Sequence, residues 1–351
     1  MVQKPSTLLL KWYDRVKRDL PWRHTQNPYH IWLSEIMLQQ TRVETVKGYY
    51  ARFLERCPTV EALAGAPEQD VLKLWEGLGY YSRARNLQKA AQVITNQYNG
   101  IFPSTYDQIL ALPGVGPYTA GAIASIAFGE RVPAVDGNVY RVASRFFGIR
   151  EDIGVPTVQR RIRALVQDSI PTSRPGDYNQ ALMELGATLC SPHAPGCEEC
   201  PWHDLCDACQ EGDADSLPIH EKKQPPKEMD MAVCLMTCEG RILVAQRQER
   251  MLRGLYVFQL LEDEIRPERI QAALDEEGLA CRFVQVLGEA KHVFTHRIWN
   301  MTLLHFSLAF IPDDSWMKQH QAQLVTADEL RRLPMPTAMK AAREAALKVL
   351  E

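Results

Sequence analysis

Apolar residues recur every three or four positions over 59–76, 82–97, 104–111 and 156–169, with Gly and Pro between the runs. This period predicts amphipathic helices, and residues 1–210 read as mostly helical. The texture changes near residue 230. AVCLMTC (232–238), the turn Glu239-Gly240 and RILVAQRQ (241–248) predict a β-hairpin. GLYVFQL (254–260), CRFVQVLG (281–288) and WNMTLLHFSLAF (299–310) add strands, whereas 266–278 and 337–350 have helical spacing. Between the two textures lies QEGDADSLPIHEKKQPPKEMD (210–230), a charged stretch with three prolines. Such a composition cannot bury a core and predicts a linker. The expectation is therefore a mainly α region over 1–210, a linker over 211–229, and a smaller α+β domain over 230–351. No fixed-period repeat or low-complexity tract interrupts this division.

The composition is that of a folded protein, 46% hydrophobic and 24% charged over 351 residues. No run approaches the roughly 18 uncharged apolar residues of a membrane-spanning helix. The N-terminal MVQKPSTLLLKWYDR meets charge too soon for a secretory signal. Together these predict a cytoplasmic location. The net charge of −3 and a pI near 6.3 argue at first against a nucleic-acid partner. Divided along the chain, the charge reads differently. Residues 1–189 hold 22 Lys and Arg against 17 Asp and Glu, a local excess of +5. Residues 190–225 hold 2 against 8, and 226–351 hold 16 against 18. The mean conceals a mildly basic N-terminal region, which a solvated face explains and which also allows a basic groove.

Five of the nine cysteines (Cys190, Cys197, Cys200, Cys206 and Cys209) fall within 20 residues. An odd number without a secretion signal points to a reducing compartment, where such a group holds a metal rather than disulfides. Thiolates are soft ligands for zinc or for iron–sulfur centres. A zinc knuckle from the two CxxC pairs, Cys197/Cys200 and Cys206/Cys209, would leave five residues between pairs, where common ribbons have about 15–20.

Three further stretches carry chemistry. In LPGVGPYTAGAI (112–123), Gly114 and Gly116 permit close backbone approach and unusual dihedrals, and Pro117 suits the first turn of a helix. The free N–H groups at such a helix start can hold a phosphate, although a tight turn between two helices has the same look. In VPAVDGNVYR (132–141), Asp136 precedes Gly137 and Asn138, and by itself it reads equally as a helix cap. In NPYHIWLSEIMLQQTRV (27–43), Glu35 is an acid among Ile31, Trp32, Leu33, Ile36, Met37 and Leu38. Desolvation there raises its pKa, so that it holds a proton near neutral pH, as a general acid must.

A glycine hairpin followed 20 residues after Gly116 by an aspartate resembles the helix–hairpin–helix glycosylase superfamily that includes endonuclease III. The Cys190-x6-Cys197-x2-Cys200-x5-Cys206 array resembles its [4Fe–4S] loop, which leaves Cys209 as a spare thiol. With SEIMLQQTRV, GLGYYSRARNL (77–87) and a C-terminal α+β domain, essentially the whole chain is similar to the adenine DNA glycosylases of the MutY type. The resemblance is dense over 20–206 and thinner after 230.

That resemblance implies a six-helix barrel plus a cluster domain, and a Nudix-like C-terminal module that senses 8-oxoguanine. It implies an enzyme that flips adenine out of double-stranded DNA opposite 8-oxoguanine or guanine and hydrolyses its glycosidic bond. Glu35 would protonate adenine at N7, Asp136 would stabilise or trap the oxocarbenium ion, and Tyr118 and Asn138 would orient them. Trp22, Arg23 and Gln180 would approach the flipped base. Gln40, Thr41 and Tyr80 would probe the helix near the opposite base, and Phe294, Thr295 and His296 of HVFTHR (292–297) would read the lesion. Trp22 and Tyr80 read equally as core aromatics, and 292–297 as a strand-edge loop. The implied state is a monomer.

Relatives that also cleave the strand carry a lysine nucleophile where this chain has Tyr118, so no Schiff base forms at that position. This weighs against the alternative of an endonuclease III-like glycosylase/AP lyase. A non-catalytic DNA-binding protein would leave Glu35 and Asp136 incidental. A Nudix hydrolase would need an REUxEExGU box, and QAALDEEGL (271–279) lacks its Arg and first Glu.

Overall fold

The computed structural model describes residues 4–221 and 225–351, so part of the expected linker lies outside the described residues. The first half is helical: α1 (Pro5–Val16), α2 (Pro28–Leu38), α3 (Val43–Arg56), α4 (Val60–Gly65), α5 (Glu68–Leu74), α6 (Ser82–Gln97), α7 (Tyr106–Leu110), α8 (Pro117–Phe128), α9 (Gly137–Phe146), α10 (Pro156–Ser169), α11 (Pro175–Thr188) and the short α12 (Asp207–Gln210). The second half runs β1 (Lys227–Cys238), β2 (Arg241–Gln246), β3 (Tyr256–Val257), β4 (Gln259–Glu262), α13 (Pro267–Glu276), β5 (Cys281–Val293), β6 (Arg297–Leu308), α14 (Asp314–Gln319), β7 (Ala322–Val325), α15 (Ala327–Arg332) and α16 (Lys340–Leu350). The helices expected over 82–97 and 156–169 form with those bounds. The run 59–76 breaks in two, because Ala66 and Pro67 take extended backbone between α4 and α5.

The contacts divide the chain into two units, and the division does not follow chain order. One unit takes residues up to Ala66 together with those from Asn86 to the end of the cysteine region; the other takes Pro67–Arg85 together with the C-terminal part. The segment Pro67–Arg85 is stitched into its unit by polar bonds. Lys73 Nζ donates to the carbonyls of Arg331 (3.1 Å) and Leu333 (3.2 Å), Arg343 Nη1 donates to Glu76 (2.7 Å), and Tyr81 donates to the Met335 carbonyl (3.3 Å). Hydropathy along the chain carries no sign of this pairing.

In the first unit, Leu9, Trp12 and Tyr13 of α1 pack with Val139 and Val142 of α9, Ile162 of α10, and Leu182 and Leu185 of α11. α2 is buried nearly all round, from Tyr29 through Met37, so it is a core helix rather than a surface one. Asn27 caps it by accepting from Tyr29 N (2.9 Å), with Pro28 in the first turn. Beyond α12 the chain stays tied to this unit. Arg145 Nε donates to the Leu217 carbonyl (3.0 Å) and Ile153 N to the Ile219 carbonyl (3.0 Å). The polar stretch 210–221 thus belongs to a fastened segment, held by these hydrogen bonds and by the buried Leu217.

In the second unit the sheet runs β3-β2-β1-β6-β5, with β4 paired to β1 and β7 to β2. β1 and β6 are parallel, in register Met231↔Met301, and the predicted hairpin around Glu239-Gly240 pairs β1 with β2, with Thr237 opposite Ile242. Alternation along β1 decides its two faces. Met229, Met231, Val233 and Leu235 face the cluster that includes Ala342 and Ala346 of α16. Ala232, Cys234 and Met236 face Ile270 and Leu274 of α13. β5 and β6 continue past the expected 281–288 and form a long hairpin whose turn is Phe294–His296. β7, α14 and α15 lack an apolar period strong enough to be read from the sequence.

Candidate active site

The site is assembled from two helix starts, those of α8 and α9, and the buried helix α2. α8 begins at Pro117 after Gly116, and no side chain caps it. Gly114 has φ +74°, and a Cβ there would lie 2.5 Å from Asn86 Cβ. Gly116 departs from the expectation of an unusual dihedral: its φ is −96°, and an added Cβ would meet nothing within 4 Å. Only Gly114 is demanded by the chain's own packing. The space beside Gly116 is open, as an external phosphate at the α8 N-terminus requires.

The first turn of α8 carries Tyr118, whose hydroxyl donates to Glu35 Oε2 at 2.5 Å and also lies 3.2 Å from Met183 Sδ on α11. Glu35 is 6% exposed. Burial is the main force on its carboxyl and raises its pKa to about 7; the Asp136 charge adds to the rise, while Tyr118 and Arg23 oppose it. Tyr118 is held well above its ordinary value, first by burial and then by the charges of Glu35 and Asp136, so it stays a donor.

Asp136 is the N-cap of α9 and also faces this site. Its Oδ1 accepts from Val139 N (2.8 Å) and its Oδ2 from Asn138 Nδ2 (3.0 Å). Burial raises its pKa, and these donors pull it back. Asn138 accepts in turn from Arg141 Nη2 (3.0 Å), and Arg141 also donates to the carbonyls of Cys190 (2.9 Å) and Gly186 (2.7 Å). The irregular segment leading to Asp136 is pinned by the buried Asn179, which accepts from Ala134 N (3.1 Å) and donates to the Val132 carbonyl (2.9 Å). The cap and the site are one arrangement: the same donors that start the helix hold the carboxylate.

Sequence reasoning missed Asn179, Met183 and above all Glu184. The Glu184 side chain is fully buried on α11 and accepts from Arg18 Nε (2.8 Å), Arg18 Nη2 (2.8 Å), Arg18 N (3.1 Å) and Arg23 Nη2 (2.8 Å). Burial would raise its pKa, but the two guanidiniums outweigh burial and hold it near 2. The signal was available, since Glu184 stands in the apolar ALMELGA as Glu35 stands in WLSEIML. Arg23 donates through Nη1 to the Arg18 carbonyl (3.0 Å), so both its terminal nitrogens are engaged. Trp22 is buried and meets Tyr50 edge-on at 5.5 Å. Gln180, one turn before Glu184, is half-buried. Gln40 is exposed at φ +57° just after α2, and Thr41 Oγ1 donates to the Gln39 carbonyl (3.3 Å).

The second unit gathers the other predicted readers. Tyr80 is 50% exposed with φ +47°, so it is not a core aromatic. Its hydroxyl shares a 2.6 Å hydrogen bond with Thr295 Oγ1. Phe294 packs edge-on against Trp299 at 4.9 Å, which leaves Thr295 and His296 exposed at the tip of the β5–β6 hairpin.

Cys190, Cys197, Cys200 and Cys206 line one cavity with apolar walls from Val142, Phe146, Leu185 and Trp202; Cys209 lines it too. Arg145 Nη1 donates to Cys190 Sγ (3.2 Å), which sets a cation against the thiols. Burial pushes Cys200 up to about 12 and Cys197 to about 11, the latter also through its thiol neighbours. A cation bound there would have to displace their protons. Cys209 is a free thiol that lies 3.6 Å from His203 Nδ1 and shares a hydrogen bond with Cys197. Among the described residues, no three His, Cys, Asp or Glu side chains converge tightly enough to hold a single metal ion.

Comparison with known proteins agrees with this division. Residues 33–168 match the HhH-GPD superfamily of base excision DNA repair proteins, and 231–345 match the NUDIX domain. The human adenine DNA glycosylase is 37% identical over 349 residues, covering 82% of this chain and 64% of the human one. The mouse protein is 36% identical, covering 95% of this chain and 76% of its own. The adenine DNA glycosylase of Buchnera aphidicola subsp. Baizongia pistaciae is 33% identical, covering 82% of each. The chain thus spans just under two thirds of the human relative's length. Among solved structures, a thermostable thymine-DNA glycosylase is 32% identical with TM-score 0.54, over 59% of this chain and 95% of its own. Endonuclease III trapped covalently on DNA is 25% identical with TM-score 0.51, over 60% and 99%. The expected fold class is what is found, an endonuclease III-like helical part followed by a Nudix-like α+β part. By fold and by sequence, the chain belongs to the adenine DNA glycosylase family.

Proposed function

We propose that this protein is a monofunctional DNA glycosylase of base excision repair, a monomer acting in the cytoplasm on duplex DNA where adenine faces 8-oxoguanine or guanine. The observation that carries the reading is the buried Glu35–Tyr118 pair at 2.5 Å, within reach of the Asp136 charge. A carboxyl with a pKa near 7 is half protonated at neutral pH, which suits proton delivery to a poor leaving group. Glu35 gives its proton to adenine N7 as the C1′–N9 bond breaks, and the bonding electrons leave with the base. The sugar becomes oxocarbenium-like, and the Asp136 carboxylate, held by Val139 N and Asn138, stabilises the positive charge. Water adds to C1′, a proton is lost to solvent, and an abasic site remains. Tyr118 supplies no amine, so no Schiff base forms there.

Base flipping calls for backbone grip and for side chains that fill the vacated stack. Gly114, Gly116 and the α8 N-terminus serve as the phosphate grip. Gln40 and Thr41 after α2 serve as intercalating probes, and Trp22, Arg23 and Gln180 line the base pocket. In the second unit Tyr80, Thr295, His296 and the anchoring Phe294 read the base opposite adenine. Cys190, Cys197, Cys200 and Cys206 would hold one [4Fe–4S] cluster, which their shared cavity and the Arg145 counter-charge fit. A cluster there supplies a structural cross-link between α11 and the following loop.

The test is release of free adenine from a duplex with adenine opposite 8-oxoguanine. Asp136→Asn should bind the duplex and release no base. Full activity in that variant overturns the assignment, and a borohydride-trapped adduct with the parent protein would indicate a lyase instead.

A further inference from the structure

Glu184 is a fully buried carboxylate, and burial of a charge is a poor way to stabilise a fold. The desolvation cost of such a pair often exceeds its Coulombic gain, so a buried ionic group points to a positional role. Here the four donors come from two arginines with different fates. Arg18 keeps 39% of its side chain exposed, whereas Arg23 is 12% exposed. Arg23 is the inner partner. One of its terminal nitrogens is taken by Glu184 Oε2 and the other by the Arg18 carbonyl, and its guanidinium lies 5.5 Å from the Tyr13 ring centroid. A long flexible side chain is thereby reduced to one geometry. The charge so fixed is felt by Glu35, which also faces Tyr118 and Asp136. The neighbouring residue on α11, Met183, touches the same Tyr118 hydroxyl that donates to Glu35. One turn of α11 therefore addresses the acid from two directions, through a thioether and through a fixed cation.

We infer that Glu184 is a positioning residue of the excision site: it fixes the Arg23 guanidinium, whose charge reaches Glu35, with Arg18 holding Glu184 in its rotamer. This inference rests on the adenine glycosylase reading. Glu184 touches neither base nor sugar in this scheme and acts only through Arg23.

The experiment is a double-mutant cycle on the full-length protein, read as the single-turnover rate of adenine release and, separately, as duplex affinity. Glu184→Ala and Arg23→Ala should each slow release by about tenfold, the scale of a displaced catalytic environment. The double variant should be no slower than Arg23→Ala alone. In both single variants the alkaline limb of the rate–pH profile should move upward, because Glu35 loses a cation that favours its ionised form. In Glu184→Ala, which removes no group that faces the base, duplex affinity should change less than about twofold. Glu184→Gln keeps the shape and one acceptor for Arg23, so it guards against misfolding and should retain an intermediate rate. Additive losses, an unmoved pH limb, or a Glu184→Gln rate equal to that of the parent overturn the inference. A parent protein that releases no adenine at all overturns the underlying reading instead, and the two failures are thus told apart.

Discussion

Two acids in similar apolar settings end in opposite states because of what lies within a few ångströms. Glu35 has one phenol and an opposing carboxylate, so burial wins and its pKa rises to about 7. Glu184 has two guanidiniums, and its pKa falls to about 2. The consequence for Glu35 is a measurable cost. Its folded-state value lies above the ordinary 4.5, so its contribution to stability is intact below that pH and is lost as the pH rises through 7. The difference amounts to about 3 kcal/mol at alkaline pH. Glu35→Gln, whose amide oxygen can still accept from Tyr118, should raise the thermal midpoint relative to the parent at pH 8 and match it near pH 4. Equal midpoints at both pH values would show that Glu35 is not desolvated. A site that gains stability when its acid is removed is one that trades stability for chemistry.

At the scale of elements, glycines in α8 and just before it divide by what surrounds them. A Cβ on Gly121 would fall 2.2 Å from the Pro133 carbonyl oxygen, in the segment that delivers Asp136. Backbone cannot step aside cheaply, so Gly121→Ala should cost about 2 kcal/mol or more in stability and lower the excision rate with it. Gly116 has ordinary dihedrals and open space, so Gly116→Ala should leave the melting curve unchanged while weakening duplex binding. Thermal melting beside a binding titration separates the two. The composition of 112–125 predicted close approach, and close approach occurs. Which glycine meets protein and which meets solvent could not be read from it, because the two share the same residue type and nearly the same neighbours in the chain.

At the scale of the molecule, the cysteine loop is tied to distant elements. Trp202 Nε1 donates to the Pro5 carbonyl (2.8 Å) at the start of α1, and Arg145 spans to Ser191, Pro192 and Leu217. On the proposed cluster assignment, purified protein should be brown, with about four irons per chain. Cys206→Ala should lose both the iron and several degrees of thermal midpoint, while Cys209→Ala should keep both. A colourless zinc protein, or iron lost on replacing Cys209, would refute the assigned ligand set. The net charge of −3 belongs to this scale as well. It averages a basic region with an acidic one, and the DNA-facing question is decided by the former.

The sequence by itself determined the helical and α+β textures, the hairpin glycines, the cysteine spacing and the two acids at Glu35 and Asp136. These are local signals: period, turn chemistry, or one residue type out of place among its neighbours. Tertiary structure decided what brings Glu35 to Tyr118 across 83 positions and Glu184 to Arg18 across 166. It likewise decided that Pro67–Arg85 belongs to one unit with a part of the chain far downstream. The physical reason is common to all three. A pKa, a buried ion pair and a domain contact depend on distance in space and on exclusion of water. Neither quantity is defined until the helices have packed.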